Sequence, residues 1–104
     1  MMSEDDIMNR IVEYPAIFTP WGEGEEGYTV EFPDLSGCVT EGNSEEDAIR
    51  MAKDAAGGWL LLELEDGNNL PKASNKNEIL SKIFSDPEYE DSFVNMITID
   101  LDKI

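Results

Sequence analysis

The sequence predicts an α+β fold, a three-stranded antiparallel β-sheet plus a later strand packed on one main α-helix in the order β-β-β-α-β. Three observations carry that prediction. Tyr28–Phe32 alternates apolar and polar residues between glycine and proline turn signals, as a half-buried strand does. A capped stretch opening at Ser44 then repeats apolar residues at helical spacing. Phe93–Leu101 returns to strand character, with Phe93, Ile97, Ile99 and Leu101 sharing one face. At 104 residues there is room for one core and no second. The expected organisation is an acidic, flexible N-terminus over residues 1–10 and a single domain over 11–104.

The first strand, Ile11–Thr19, places Tyr14, Ala16 and Phe18 on one face. Pro15 has no N–H for a ladder, so the strand needs a free edge there or begins there. Pro20–Gly27 is a loop of glycine and charge. In the second strand Tyr28, Val30 and Phe32 face one way, Thr29 and Glu31 the other. Pro33–Gly37 makes a tight turn, and Cys38–Glu41 a short third strand.

Ser44 is a good N-cap, Asp47 offers a capping-box-like partner, and Glu45, Glu46 and Asp47 complement the helix dipole. Ala48, Ala52, Ala55, Trp59 and Leu62, flanked by Ile49, Ala56 and Leu60, form a broad stripe suited to a sheet. Two glycines inside a helix, Gly57 and Gly58, cost about 1 kcal/mol each relative to alanine. Either the helix kinks there or a backbone passes close. Asp66-Gly67 ends the helix and Pro71 prevents its resumption. Asn77–Phe84 reads as a short helix through Ile79, Leu80, Ile83 and Phe84, followed by an acidic loop over Asp86–Asp91.

Charge narrows the function. There are 24 acidic residues against 7 basic ones, a net charge of −17, and no histidine. Such a surface is soluble and self-repelling, and it lacks the clustered Lys and Arg that a phosphate backbone requires. Its natural complement is a basic protein surface, unless the acidity serves solubility alone. Cys38 is the only cysteine, which excludes an internal disulfide and fits a reducing cytoplasm. No basic, apolar leader opens the sequence and no stretch approaches a membrane span, so a soluble, cytoplasmic protein without a membrane partner is expected.

Catalytic chemistry is hard to find. Without histidine no Ser-His-Asp or Cys-His arrangement can form, and no phosphate-binding loop, dinucleotide fingerprint or Cys/His metal cluster is present. Glu31, Asp34, Asp100 and Asp102 could converge on magnesium, but no metal-binding spacing announces them and solvated surface charge explains them. The chain is therefore expected to be no enzyme and to need no cofactor or metal. What remains is contact. Trp21, Tyr28, Glu31, Asp34, Leu35 and Glu41 lie on the loops and the sheet face most available to a partner. Trp21 either anchors a partner or folds back over the sheet edge, and Phe32–Leu35 is either a contact loop or simply a turn.

The ordered combination of Tyr14–Phe18, Gly27–Gly42 (GYTVEFPDLSGCVTEG), Ser44–Ala48, Asp66-Gly67 and Leu70-Pro71 resembles the N-terminal domain of HicB-type antitoxins. The resemblance covers residues 11–73 well and 93–102 loosely. It implies a partial ribonuclease-H-like fold without the nuclease's carboxylates, and a bacterial or phage antitoxin of a type II toxin–antitoxin pair. It further implies a small basic HicA-type partner, an mRNA interferase whose site the antitoxin masks, and a homodimer or higher oligomer. Many members carry a C-terminal helix-turn-helix or ribbon-helix-helix segment for their own operator. This chain stops at Ile104, where such a segment begins, so no C-terminal DNA-binding domain and no direct nucleic-acid binding are expected of it. Two other readings stay open: a stand-alone HicB-like oligomeric domain with another protein partner, and a magnesium-dependent nuclease. Gly57-Gly58 and Asn75–Ser92 find no counterpart in the family pattern.

Overall fold

The computed structural model describes residues 10–103, so the acidic lead-in lies outside it except for Arg10. Four strands, β1 (Ile11–Pro20), β2 (Tyr28–Glu31), β3 (Val39–Gly42) and β4 (Phe93–Asp100), form one antiparallel sheet in the order β3-β2-β1-β4. Between β3 and β4 run helix α1 (Glu45–Glu65), the shorter α2 (Lys76–Ile83) and a 3-10 turn over Pro87–Tyr89. The last strand thus returns to the first, pairing from Ile11 with Asp100 to Phe18 with Phe93. β2 pairs only with Ile17–Pro20 of β1. Pro15 sits beyond that pairing, where a residue without an N–H is tolerated.

Alternation sorts the sheet into two faces. On the first, Tyr14, Ala16, Phe18, Val30, Ile97 and Ile99 are buried against α1 through Ala48, Ala52, Ala56 and Leu60. Three alanines at four-residue spacing bring the helix backbone close to the sheet, and Leu60 fills the wider end. Phe18 stacks on Phe93 with ring centroids 5.1 Å apart, and Tyr28 meets both rings edge-on. Fully burying a side chain such as Phe18 stabilises the fold by about 1.5–3 kcal/mol.

The expected stripe needs one correction: Leu62 is 61 % exposed. The four-residue spacing from Ala48 to Leu60 sets the inward line, and Leu62 lies about 200° around the helix from Leu60. Helix α1 also runs unbroken through Gly57-Gly58; Gly57 is buried, whereas open space surrounds the Cβ position of Gly58, so no backbone passes close to Gly58.

Both ends of α1 are well satisfied. Ser44 Oγ accepts from Asp47 N–H at 3.0 Å, while the Asp47 carboxylate accepts from Asn43 N–H at 2.9 Å, one residue beyond the N-cap N–H that a capping box uses. That bond, with Arg50 beside it, lowers the Asp47 pKa. At the other end Asn68 N–H bonds to Glu63 C=O and Gly67 N–H to Leu64 C=O, the Schellman pattern.

The second face of the sheet is not left open along its whole length. α2 packs on it, burying Ile79 and Ile83 against Ile17 and Val94. An N-cap at Asn75, with a complete capping box to Glu78, starts this helix one residue before the expected stretch. The chain linking the helices is tied down by Tyr14, whose hydroxyl donates to Pro71 C=O at 2.5 Å.

Candidate partner-binding surface

The β2–β3 connection is built by its own backbone. Leu35 N–H bonds to Phe32 C=O, Cys38 N–H to Leu35 C=O, and Phe32 N–H to Cys38 C=O. This closed turn folds Leu35 inward, where it is fully buried. Leu35 is thus a core residue, contrary to its expected place on a contact loop. Trp59 of α1 clamps the same turn, its indole N–H donating to Ser36 C=O at 3.0 Å. Cys38 is buried at the end of the turn, directly before β3 rather than within it, and burial raises its thiol pKa. A thiol so placed is a small apolar side chain, not a nucleophile.

Asp34 is held as well. Its carboxylate accepts from both the backbone N–H and the hydroxyl of Ser74, each at 2.8 Å, joining the turn to the segment between the helices. Tyr28 lies on the α1 side of the sheet, partly buried among Phe18 and Phe93. Three of the six expected contact residues therefore serve the fold: Leu35 and Tyr28 by packing, Asp34 by hydrogen bonding.

The other three come together on the second face. Thr29 pairs with Glu41 across β2 and β3, and Glu31 with Val39. Trp21 reaches the same face, donating from its indole N–H to Thr29 Oγ1 at 3.2 Å while remaining partly exposed. Its ring lies over Gly27, where a Cβ would come within 2.5 Å of the indole. So Trp21 folds back over the sheet edge and still offers a flank to solvent. Glu41 is exposed, and Val39 is 59 % exposed on the edge strand. Two members of this surface escape a reading of contact residues from sequence. Val39 was legible from its alternation with Cys38 and Thr40. Tyr89 was not, because it joins the surface from a distant acidic turn.

Tyr89 donates its hydroxyl to Glu31 Oε1 at 2.5 Å. The adjacent carboxylate pushes the phenol pKa up to about 12. The bond fixes Glu31 and links the β2–β3 surface to the turn that follows α2.

The four carboxylates considered for magnesium do not converge. Glu31 is held by Tyr89, Asp34 by Ser74, and Asp102 by Arg10, whose guanidinium lies 2.9 Å away, while Asp100 accepts from Asp102 N–H. The Arg10 backbone N–H and guanidinium hold the Asp102 pKa down. Among the described residues no group of three or more Asp, Glu or Cys is placed to hold a metal ion. No helix among them is long and apolar enough to cross a membrane.

Known proteins resemble this chain in sequence and in architecture. Residues 14–104 match the model of a HicB-like antitoxin of bacterial toxin–antitoxin systems. An uncharacterised 14.9 kDa protein of Haemophilus phage HP1 is 33 % identical over 76 residues, covering 73 % of this chain and 54 % of its own length. Antitoxin HicB 2 of Photorhabdus laumondii is 32 % identical over 76 residues, covering 73 % of this chain and 52 % of its own. The chain thus spans about half the length of these two curated relatives. Among solved structures, a toxin–antitoxin complex from Streptococcus pneumoniae superposes with a TM-score of 0.71 at 27 % identity, over 88 % of this chain and 70 % of that one. The N-terminal domain of Burkholderia pseudomallei antitoxin HicB shares the fold, with a TM-score of 0.65 at 23 % identity over 86 % of this chain and all of that domain. With the family model matching nearly the whole described sequence, the chain belongs to the HicB-like antitoxins of bacterial toxin–antitoxin systems.

Proposed function

We propose that this chain is the antitoxin of a type II pair and that it binds and masks a small, basic HicA-type mRNA interferase. The observation that carries the proposal is the second sheet face. There Trp21 and Val39 offer exposed apolar area beside two carboxylates, Glu31, held by Tyr89, and the exposed Glu41. The net charge of −17 supports a cationic partner and speaks against this chain touching RNA or DNA itself. In this reading the chain is a cytoplasmic, non-enzymatic binding protein. It masks the toxin by covering its RNA-binding surface, and it assembles as a homodimer or larger oligomer.

Titrating the purified chain into the HicA-type protein encoded beside it tests the proposal. Tight binding that weakens steadily as salt rises is expected. Glu41→Lys, on the exposed rim, should slow association roughly tenfold without loss of folding. Absence of binding at low salt would overturn the reading.

A further inference from the structure

Segment 75–92 covers only part of the sheet, yet it holds the most exposed large apolar side chain among the described residues. α2 docks through Ile79 and Ile83. One position on, Leu80 and Phe84 repeat the same four-residue spacing on a flank turned about 100° away. Leu80 is 37 % exposed and Phe84 is 89 % exposed. Phe84 and Leu80 line one shallow depression with Asn77 and Ser81. Phe84 also borders a second depression with Asp86, Tyr89 and Glu90.

Three features turn this exposure into a surface for a definite kind of partner. First, the backbone that carries the anchor is fixed on both sides. α2 is capped at Asn75, and the next turn is capped by Asp86, which accepts from Glu88 N–H at 3.0 Å. Little backbone entropy is then lost on docking. Second, the rim is mainly acidic. From Lys76 to Asp91 five carboxylates (Glu78, Asp86, Glu88, Glu90 and Asp91) stand against Lys76 and Lys82. An aromatic anchor inside a charged rim is the usual anatomy of a binding hot spot, and an acidic rim selects a cationic counterpart. Third, the patch adjoins the β2–β3 surface. Tyr89 borders the Phe84 depression and bonds to Glu31.

We infer that Phe84, with Leu80 beside it, is the aromatic anchor by which this chain docks into an apolar pocket ringed by Lys and Arg on its basic protein partner. The inference rests on the antitoxin reading and adds to it where the partner is gripped. The test measures binding of the neighbouring HicA-type toxin to the wild-type chain, to Phe84→Ala and to Leu80→Ala, with oligomer mass and unfolding midpoint recorded for each. Phe84→Ala should raise Kd about 30-fold, and Leu80→Ala by less, with midpoint and mass unchanged. Wild type and Phe84→Ala binding equally well would overturn the inference. So would a Phe84→Ala chain that loses a subunit but keeps its toxin affinity, since a second copy of this chain would then own the patch. If the wild-type chain itself fails to bind, the antitoxin reading falls, and this inference with it.

Discussion

The segments 27–42 and 75–92 sit on the same protein and make opposite use of their apolar residues. In the first, Val30, Phe32, Leu35 and Cys38 all point into the core, and the turn between the strands is closed by its own backbone bonds. In the second, Ile79 and Ile83 reach inward, but Leu80 and Phe84 are left to solvent beside a run of carboxylates. The buried apolar residues of the first segment are accounted for by folding. The scaffold segment spends its apolar residues on the core, whereas the surface proposed to grip a partner lies where two apolar side chains are left exposed.

Breaking the comparison is easiest from the scaffold side. Leu35→Ala removes a fully buried side chain and should cost about 2–5 kcal/mol, read as a lower urea midpoint. A loss below about 1 kcal/mol would mean that the turn is a loosely packed contact loop after all.

A smaller effect joins the two segments at the Tyr89–Glu31 bond. The Tyr89 phenol pKa rises from 10.0 to about 12 in the folded chain, so the unfolded chain loses that proton first. The bond's contribution is complete below pH 10 and fades between pH 10 and about 12. Stability measured across that window should fall more steeply for the wild-type chain than for Tyr89→Phe. Parallel curves would show that Tyr89 is not held by Glu31.

The smallest effect is expected at Phe84. Replacing it by alanine should leave stability within about 0.5 kcal/mol of wild type, because an exposed side chain gives up little in folding. A large loss would move Phe84 from the partner surface into the scaffold.

Much of the fold was legible from period and punctuation. Alternation in Tyr28–Phe32 and the capped stripe from Ser44 place one strand and one helix correctly, because those signals are local. The sheet order was not legible, since pairing β4 with β1 joins residues some eighty positions apart. Nor was the second layer: α2 has too few residues to reveal by period which sheet face it will cover. The placement of the six expected contact residues in the fold was partly legible. Trp21, Glu31 and Glu41 converge as their strand parity and loop position suggested. The settings of Leu35 and Asp34 were not legible, because a closed turn buries one and a long-range bond to Ser74 fastens the other, and neither leaves a mark in the local pattern.

The proposed silencing of a basic nuclease by this acidic chain depends on the chain covering it. It is tested most directly by the toxin's cleavage of an RNA substrate as the purified chain is added at low salt. Cleavage should stop near a stoichiometric amount of the chain and return as salt is raised. A toxin that stays fully active under an excess of the chain at low salt would contradict the account.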